Sequence, residues 1–375
     1  MTLHLHWFLP TGGDSRDVLA TGPDVHRRDP TLDHLALVAR TAEQLGFEAA
    51  LTPTGTWCEE SWISTAALIR ETTRLKFLVA FRPGTITPTL AAQMAATFQR
   101  HSNGRALLNV VTGGDAGEQQ RFGDWLDHDE RYARTDEFLA IVRGAWSGEP
   151  YDFDGAHYHV AGASTRLPPD PRPDIYFGGA SPAAEQVAAR RADVYLTWGE
   201  PPDLVAPRIE RVRKLAAEEG RELRFGIRLH VITRDRAADA WAETERLLES
   251  MDDATIARVQ TDLAKSQSVG QARMQGLHGG RREDLVVAPN LWAGIGLVRG
   301  GAGTALVGDH DEVAARIAEY HELGFDEFIL SGHPHLEEAF WFGEHVRPRL
   351  QRMGLVAPDP TPLASGEHRA VSAAR

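Results

Sequence analysis

Short apolar runs alternate with amphipathic stretches along most of the chain. Residues 31–46, TLDHLALVARTAEQLG, place Leu35, Val38, Ala42 and Leu45 at helical spacing with Gly46 as the stop, and Phe47 to Leu51 follow as an apolar strand. Residues 312–324, EVAARIAEYHELG, repeat that design: Asp311 is the expected N-cap, Gly324 ends the helix, and DEFILSG supplies a strand. EQLGFEAAL and HELGFDEFIL are therefore matching helix-to-strand joints. Between them come KFLVAF, a helix TLAAQMAATFQRH stopped by Asn103 and Gly104, and ALLNVVT; later come DIYFGG, the helix PAAEQVAARRA, DVYLTW, a helix over 202–219, and RFGIRLHVI. With HLHWFL at the start and FILSG at the end, about eight strands alternate with helices, the number that closes a parallel barrel. The pattern predicts an α/β fold, a single (β/α)8 TIM barrel over 1–357.

Two stretches depart from the repeat. Residues 113–173, rich in Gly, Asp and Pro, predict a loop and hairpin insertion, and the Gly-rich segment 266–300 predicts a functional loop or lid, since loops of that length are seldom idle. The segment 358–375 has no apolar period and is expected to be a flexible tail or a dimer arm.

A chain of 375 residues, 42% of them hydrophobic, is long enough to bury a large core. Asp and Glu outnumber Lys and Arg by 53 to 40, and the net charge of -13 opposes binding to nucleic acid or to an anionic membrane. MTLHLHWFLP lacks the basic start of a signal peptide, and no long uncharged run suggests a membrane span. The lone Cys58 excludes an intramolecular disulfide and a cysteine-cluster metal site, so a reducing cytoplasm is the expected setting.

The candidate chemistry lies near strand ends. In RFGIRLHVI, alternation sets Ile227, Leu229 and Val231 on one face and Arg228 and His230 on the other, pointing into the barrel near its C-terminal mouth. Burying that arginine is costly unless an anion or partner compensates; an internal arginine–carboxylate pair with a satisfied histidine is the structural alternative. YFGGASPAA describes a strand, a turn and a helix start, where Ala180 and Ser181 precede backbone N–H groups suited to a phosphate, or else form an ordinary capped βα turn. Arg299, in LVRGGAGTALVGD, has a flexible setting from which a cation can cover a ligand, although loop arginines are commonly just solvated. His333 and His335 follow the last strand and belong at the mouth, and His335 alternatively flanks the next helix. Trp198 walls a pocket or fills core. Cys58 lines the pocket or is inert, because no nearby base is encoded to activate it. His4 and His6 are spaced like the paired histidines of metal-dependent barrel hydrolases, but they sit toward the wrong end of the strand and FILSG lacks the required aspartate, so no metal is expected.

Taken together, WFLPTGGD, LTPTGTWCEESW, LKFLVAFRP, SNGRALLNVVTGGD, YFGGAS, YLTWGEPP, RFGIRLHVI, NLWAGIGLVRGGAGTALVGD and LSGHPHLEEA resemble the two-component alkanesulfonate monooxygenases, which belong to the bacterial luciferase-like flavin enzymes. The resemblance runs from about Leu5 to about Gly343. It implies a homodimeric or homotetrameric barrel that takes reduced FMN (FMNH2) from a separate NAD(P)H-dependent flavin reductase and uses molecular oxygen to convert an organosulfonate into an aldehyde and sulfite. By position it implies that Arg228, His230, Arg299, Trp198 and Cys58 line the active site with Phe8, and that Asn109, Thr112, Tyr132, Ala180 and Ser181 contact the flavin or its phosphate. It also implies a cis peptide between Ala80 and Phe81. One departure bears on the substrate: His333 stands where those enzymes carry tyrosine, which changes any proton transfer there and leaves sulfoquinovose and methanesulfonate open as substrates. A same-fold deazaflavin (F420) oxidoreductase and a non-catalytic flavin-binding relative are the alternatives.

Overall fold

The computed structural model describes residues 2–19 and 26–358, so nearly all of the expected tail lies outside the described residues. Eight parallel strands close a barrel: β1 (His4–Phe8), β2 (Ala49–Thr52), β3 (Lys76–Phe81), β4 (Ala106–Val110), β5 (Ile175–Gly178), β6 (Val194–Trp198), β7 (Arg224–Arg234) and β8 (Glu327–Ser331). Each pairs with the next, and β8 returns to β1 with His6 opposite Ile329. Alternation sorts the side chains into two apolar layers. Phe8, Ala49, Leu51, Leu78, Leu107, Tyr176, Val194 and Ile329 fill the interior. Their neighbours in sequence, among them Trp7, Ala50, Phe77, Val79, Leu108, Phe177, Tyr195, Ile227 and Leu229, pack against the surrounding helices.

The predicted helices form with the expected boundaries to within a few residues: Leu32–Gln44 capped by Thr31, Pro88–Ser102 ended by left-handed Asn103, Pro182–Arg191 capped by Ser181, and Pro202–Glu218. The helix expected to start after Asp311 begins at His310 instead, because Asp309 is the N-cap and Glu312 completes a capping box with it. The Ala80–Phe81 peptide, expected to be cis, is trans; the cis bonds among the described residues are Asp170–Pro171 and His333–Pro334.

Both departures from the repeat carry more structure than their composition suggested. The 113–173 insertion holds the hairpin Tyr151–Asp154 with His159–Ala163, but also the 18-residue helix His128–Ala145. Its apolar residues Phe138 to Val142 run consecutively, so no helical period shows, while a capping box of Asp127 and Glu130 starts it. The 266–300 segment contains the helix Val269–His278 and a short hairpin, Val286–Ala288 with Leu291–Trp292. That hairpin leads to the strand Ala305–Asp309, which pairs in parallel with the outer half of the unusually long β7.

The barrel floor carries polar pairs. Glu327 receives His6 Nε2 at 2.6 Å and the Tyr176 hydroxyl at 2.8 Å, and it also pairs with Arg224. His4 pairs with Glu48 at 2.9 Å. The two histidines of β1 thus serve separate ion pairs away from the mouth. Among the described residues, no helix is long and apolar enough to cross a membrane.

Candidate active site

Two cavities open at the C-terminal mouth of the barrel. The larger, of about 610 Å³, is bordered by Asn109, Thr112, Tyr132, Ala180, Trp198 and Arg228; the smaller, of about 320 Å³, by Phe8, Asp14, Val18, Arg299, His333 and His335. Trp57 borders both.

Their junction is marked by two cations on one aromatic ring. The guanidinium carbon of Arg228 lies 4.3 Å, and that of Arg299 5.6 Å, from the centre of the Phe8 ring. Neither forms an ion pair with a carboxylate among the described residues, and Nη1 of Arg228 has no hydrogen-bond partner. Both are deeply placed, yet each keeps some surface open to the cavities. Burial pushes the Arg299 guanidinium down to about 10, and burial followed by repulsion from Arg299 lowers Arg228 further from its ordinary value. A cation–π contact contributes about 0.5–2 kcal/mol, whereas removing a charge from water costs several times that. The pair is therefore a candidate site for an anion.

His230 is fully buried and fully engaged. Its Nδ1 accepts from the Ser331 hydroxyl at 2.9 Å and its Nε2–H donates to the Ala302 carbonyl at 3.2 Å, an assignment that uses both nitrogens of a neutral ring. Burial, then the charges of Arg299 and His333, hold its pKa well below the usual imidazole value. It borders neither cavity. Its open contact is with His333, whose ring stacks on it at 5.3 Å between centres and 18° between planes. His230, expected at the substrate, therefore stands behind His333 and reaches the cavity wall only through it.

His333 borders the smaller cavity with Nε2 unpartnered. Its pKa is depressed by burial first, then by His335 and Arg299, with Asp14 acting in the opposite sense. His335 meets it edge-on at 5.4 Å and is held by Asp14, which receives both its Nδ1–H and its backbone N–H at 2.9 Å. Burial alone would raise the Asp14 carboxyl; contacts from His335 and His34 outweigh it and keep the group ionised. Asp14 was not singled out in the sequence, although the Gly12–Gly13 turn before it marks a shaped loop.

On the opposite side, the Gly178–Gly179 turn after β5 exposes backbone to the larger cavity. A side chain at Gly179 would bring its Cβ to 2.4 Å from the Cβ of Ala184 and 3.0 Å from the Tyr132 hydroxyl, so only glycine permits this close approach. Ser181 stands just behind: its Oγ accepts from the Ala184 N–H at 3.2 Å, capping the helix rather than lining the cavity. Cys58 also borders neither cavity. Burial pushes its thiol up to about 11, and Sγ lies 3.6 Å from the Gly55 carbonyl, so the expected pocket-lining role falls to its neighbour Trp57.

The 266–300 segment roofs the larger cavity. Gln267 N–H donates to the Gly114 carbonyl at 2.9 Å, and Arg131 reaches Gln267 at 2.9 Å. Arg273, on the roof helix, bonds through Nε at 2.8 Å to the buried Glu200, whose other oxygen pairs with Arg208 at 2.6 Å. Gln271 accepts from the Gly301 N–H at 2.9 Å, tethering the loop that carries Arg299. None of these roof ties was legible in the chain, because each joins residues distant in sequence.

Residues 3–327 match the family described as luciferase-like monooxygenase. Among solved structures, the fold is similar to a riboflavin lyase (23% identity over 95% of this chain and 93% of that one, TM-score 0.81). It is also similar to a long-chain alkane monooxygenase (20%, 96% and 93%, 0.79) and to the EDTA monooxygenase of Chelativorans sp. BNC1 (18%, 95% and 95%, 0.76). At these identities the likeness establishes the fold.

Proposed function

The chain belongs to the luciferase-like monooxygenase family, and from that premise we propose that it is an FMNH2- and O2-dependent monooxygenase that cleaves the C–S bond of a small organosulfonate. The balance is R–CH2–SO3⁻ + O2 + FMNH2 → R–CHO + HSO3⁻ + FMN + H2O. The observation that carries the reading is the pair Arg228 and Arg299, two cations without a carboxylate partner at the junction of the cavities. A sulfonate, with three oxygens and one fixed charge, matches two guanidinium forks.

The larger cavity fits FMN. Its volume lies within the range of cofactor sites, roughly 300–1,000 Å³, and the side-chain-free turn at Gly179 borders it just before the N-terminus of the helix Pro182–Arg191, the setting for a phosphate. Asn109, Thr112, Tyr132 and Ala180 border the volume a flavin would take. Reduced FMN, when bound, supplies the electrons that divide dioxygen between product and water.

The protein's own groups supply the rest. Arg228 and Arg299 hold the sulfonate. The roof, latched by Arg273 to Glu200, keeps water from the reacting centre. His333 borders the smaller cavity, its Nε2 without a hydrogen-bond partner, and takes the proton from the carbon bearing sulfur, with His230 and His335 fixing its ring. The sulfonate would cancel part of the repulsion that depresses His333, raising its basicity when substrate is present. Asp14, Ser15 and the histidines give the smaller cavity hydrogen-bonding groups beside the apolar Phe8, Val18, Leu19, Trp57 and Val298, so it can take a hydroxylated substrate such as sulfoquinovose as well as a short alkyl sulfonate.

The test is sulfite release from methanesulfonate, octanesulfonate and sulfoquinovose with FMN, an NAD(P)H-dependent flavin reductase, NADH and oxygen. Reductase-dependent sulfite from at least one of the three is expected. No sulfite from any of them overturns desulfonation and moves the protein to another flavin reaction, to deazaflavin chemistry, or to a non-catalytic flavin-binding role.

A further inference from the structure

We propose that Asp235, His310 and His345 form a binding site for a divalent transition-metal ion of the zinc class on the outer wall of the barrel. The site is independent of the flavin reading. Its three residues come from three elements: Asp235 directly follows β7, His310 opens the helix His310–Glu322, and His345 lies in the π-helical turn Phe342–Val346. Widened turns of that kind recur at functional sites because they redirect a side chain. Here the turn brings the His345 ring parallel to that of His310, 4.5 Å between centres and 8° between planes.

One ligand atom from each residue lies within 4.8 Å of the others. His310 Nε2 and Asp235 Oδ1 are 3.3 Å apart, close to the edge of a tetrahedron built on bonds of roughly 2.0 Å. The exposed Asp235 and half-buried His345 can close the remaining gap by side-chain rotation. His310 is the fixed member. Its Nδ1 is 2.8 Å from the Thr233 hydroxyl, and when Nδ1–H donates there, Nε2 presents its lone pair toward Asp235. Such an outer hydrogen bond is what orients a metal-binding histidine. Burial favours the neutral ring, the form that binds metal.

The neighbouring cations are already engaged. Arg349 pairs with Asp311 at 2.5 Å and Arg234 with Glu338 at 2.6 Å, so Asp235 is left as the site's anionic ligand. Two imidazoles, one carboxylate and a water suit Zn²⁺, with Co²⁺ and Ni²⁺ as analogues. The ion would tie the C-terminal helical segment to the end of β7.

The experiment titrates Zn²⁺ into the EDTA-treated, dialysed whole protein by calorimetry and follows the thermal midpoint. Wild type, His345→Gln, Asp235→Asn and, because imidazoles also face the barrel cavity, His333→Gln are compared. One Zn²⁺ per chain is expected, with stabilisation that grows with free metal. His345→Gln and Asp235→Asn should weaken binding by roughly tenfold or more, and His333→Gln should leave it intact. Asp235 is exposed, so its variant answers even if His345→Gln folds poorly. Equal binding in all four proteins, loss only in His333→Gln, or no binding below millimolar Zn²⁺ would overturn the assignment.

Discussion

Arg228 stacks on Phe8 at 4.3 Å with no carboxylate to balance it, and Arg299 covers the same ring from the roof side. This arrangement keeps two charges in place at the cost of their hydration, and under the proposed function an anion would offset it. Replacing Arg299 with Ala should raise KM for the sulfonate about 100-fold, in line with removing one member of a buried charge contact. It should also let oxygen consumption outrun sulfite release. Parallel oxygen-electrode and sulfite assays check this, and unchanged coupling would remove Arg299 from the site.

His333 is held well below the usual imidazole value by burial first and by His335 and Arg299 next, and under the proposed function a bound sulfonate would offset the arginine contribution. The acid limb of kcat should therefore lie at higher pH than that of kcat/KM. In His333→Tyr the limb should move strongly alkaline, since a phenol titrates near ~10 and an imidazole near ~6.5. Profiles of wild type and variant that superimpose would place proton handling elsewhere.

Arg273 fastens the roof helix to Glu200, which keeps Arg208 as a second partner. Arg273→Ala should loosen the roof without stripping Glu200 of charge compensation. The expected result is a several-fold larger share of oxygen lost as hydrogen peroxide, with FMN affinity, measured by fluorescence quenching, nearly unchanged. A fully coupled variant would show that the roof closes without this tie.

At the barrel floor, burial would raise the Glu327 carboxyl, but His6, Arg224 and Tyr176 outweigh it and bring the group down to about 2 from 4.5. Because the folded value is the lower one, this stabilisation is complete above pH 4.5 and is lost as pH falls toward 2. Glu327→Gln should cost about 3 kcal/mol at neutral pH and flatten the acid dependence. Urea unfolding at pH 7 and pH 3 measures both effects; a variant with the wild-type slope would remove Glu327 as its source.

The barrel was legible because each βα unit repeats a local rule. Leu35, Val38 and Ala42 mark one helix face, and Ile227 and Leu229 mark the outer face of β7, whatever the rest of the chain does. The same alternation pointed Arg228 inward. Helix His128–Ala145 escaped because Phe138 to Val142 are apolar without a period, and the roof helix because its glycines masked it.

What the sequence by itself determined was the strand and helix order, the inward set of side chains, and a mouth carrying arginines and histidines. Only the tertiary structure decided that His230 is spent on Ser331 and Ala302 while His333 is free, that Cys58 and Ser181 stand behind the cavity wall, and that Asp14 holds His335. The physical reason is range. Backbone periodicity acts over a few residues and is written locally, whereas hydrogen-bond partners, burial and pKa are set by groups brought together from far apart in the chain, 321 positions in the case of Asp14 and His335.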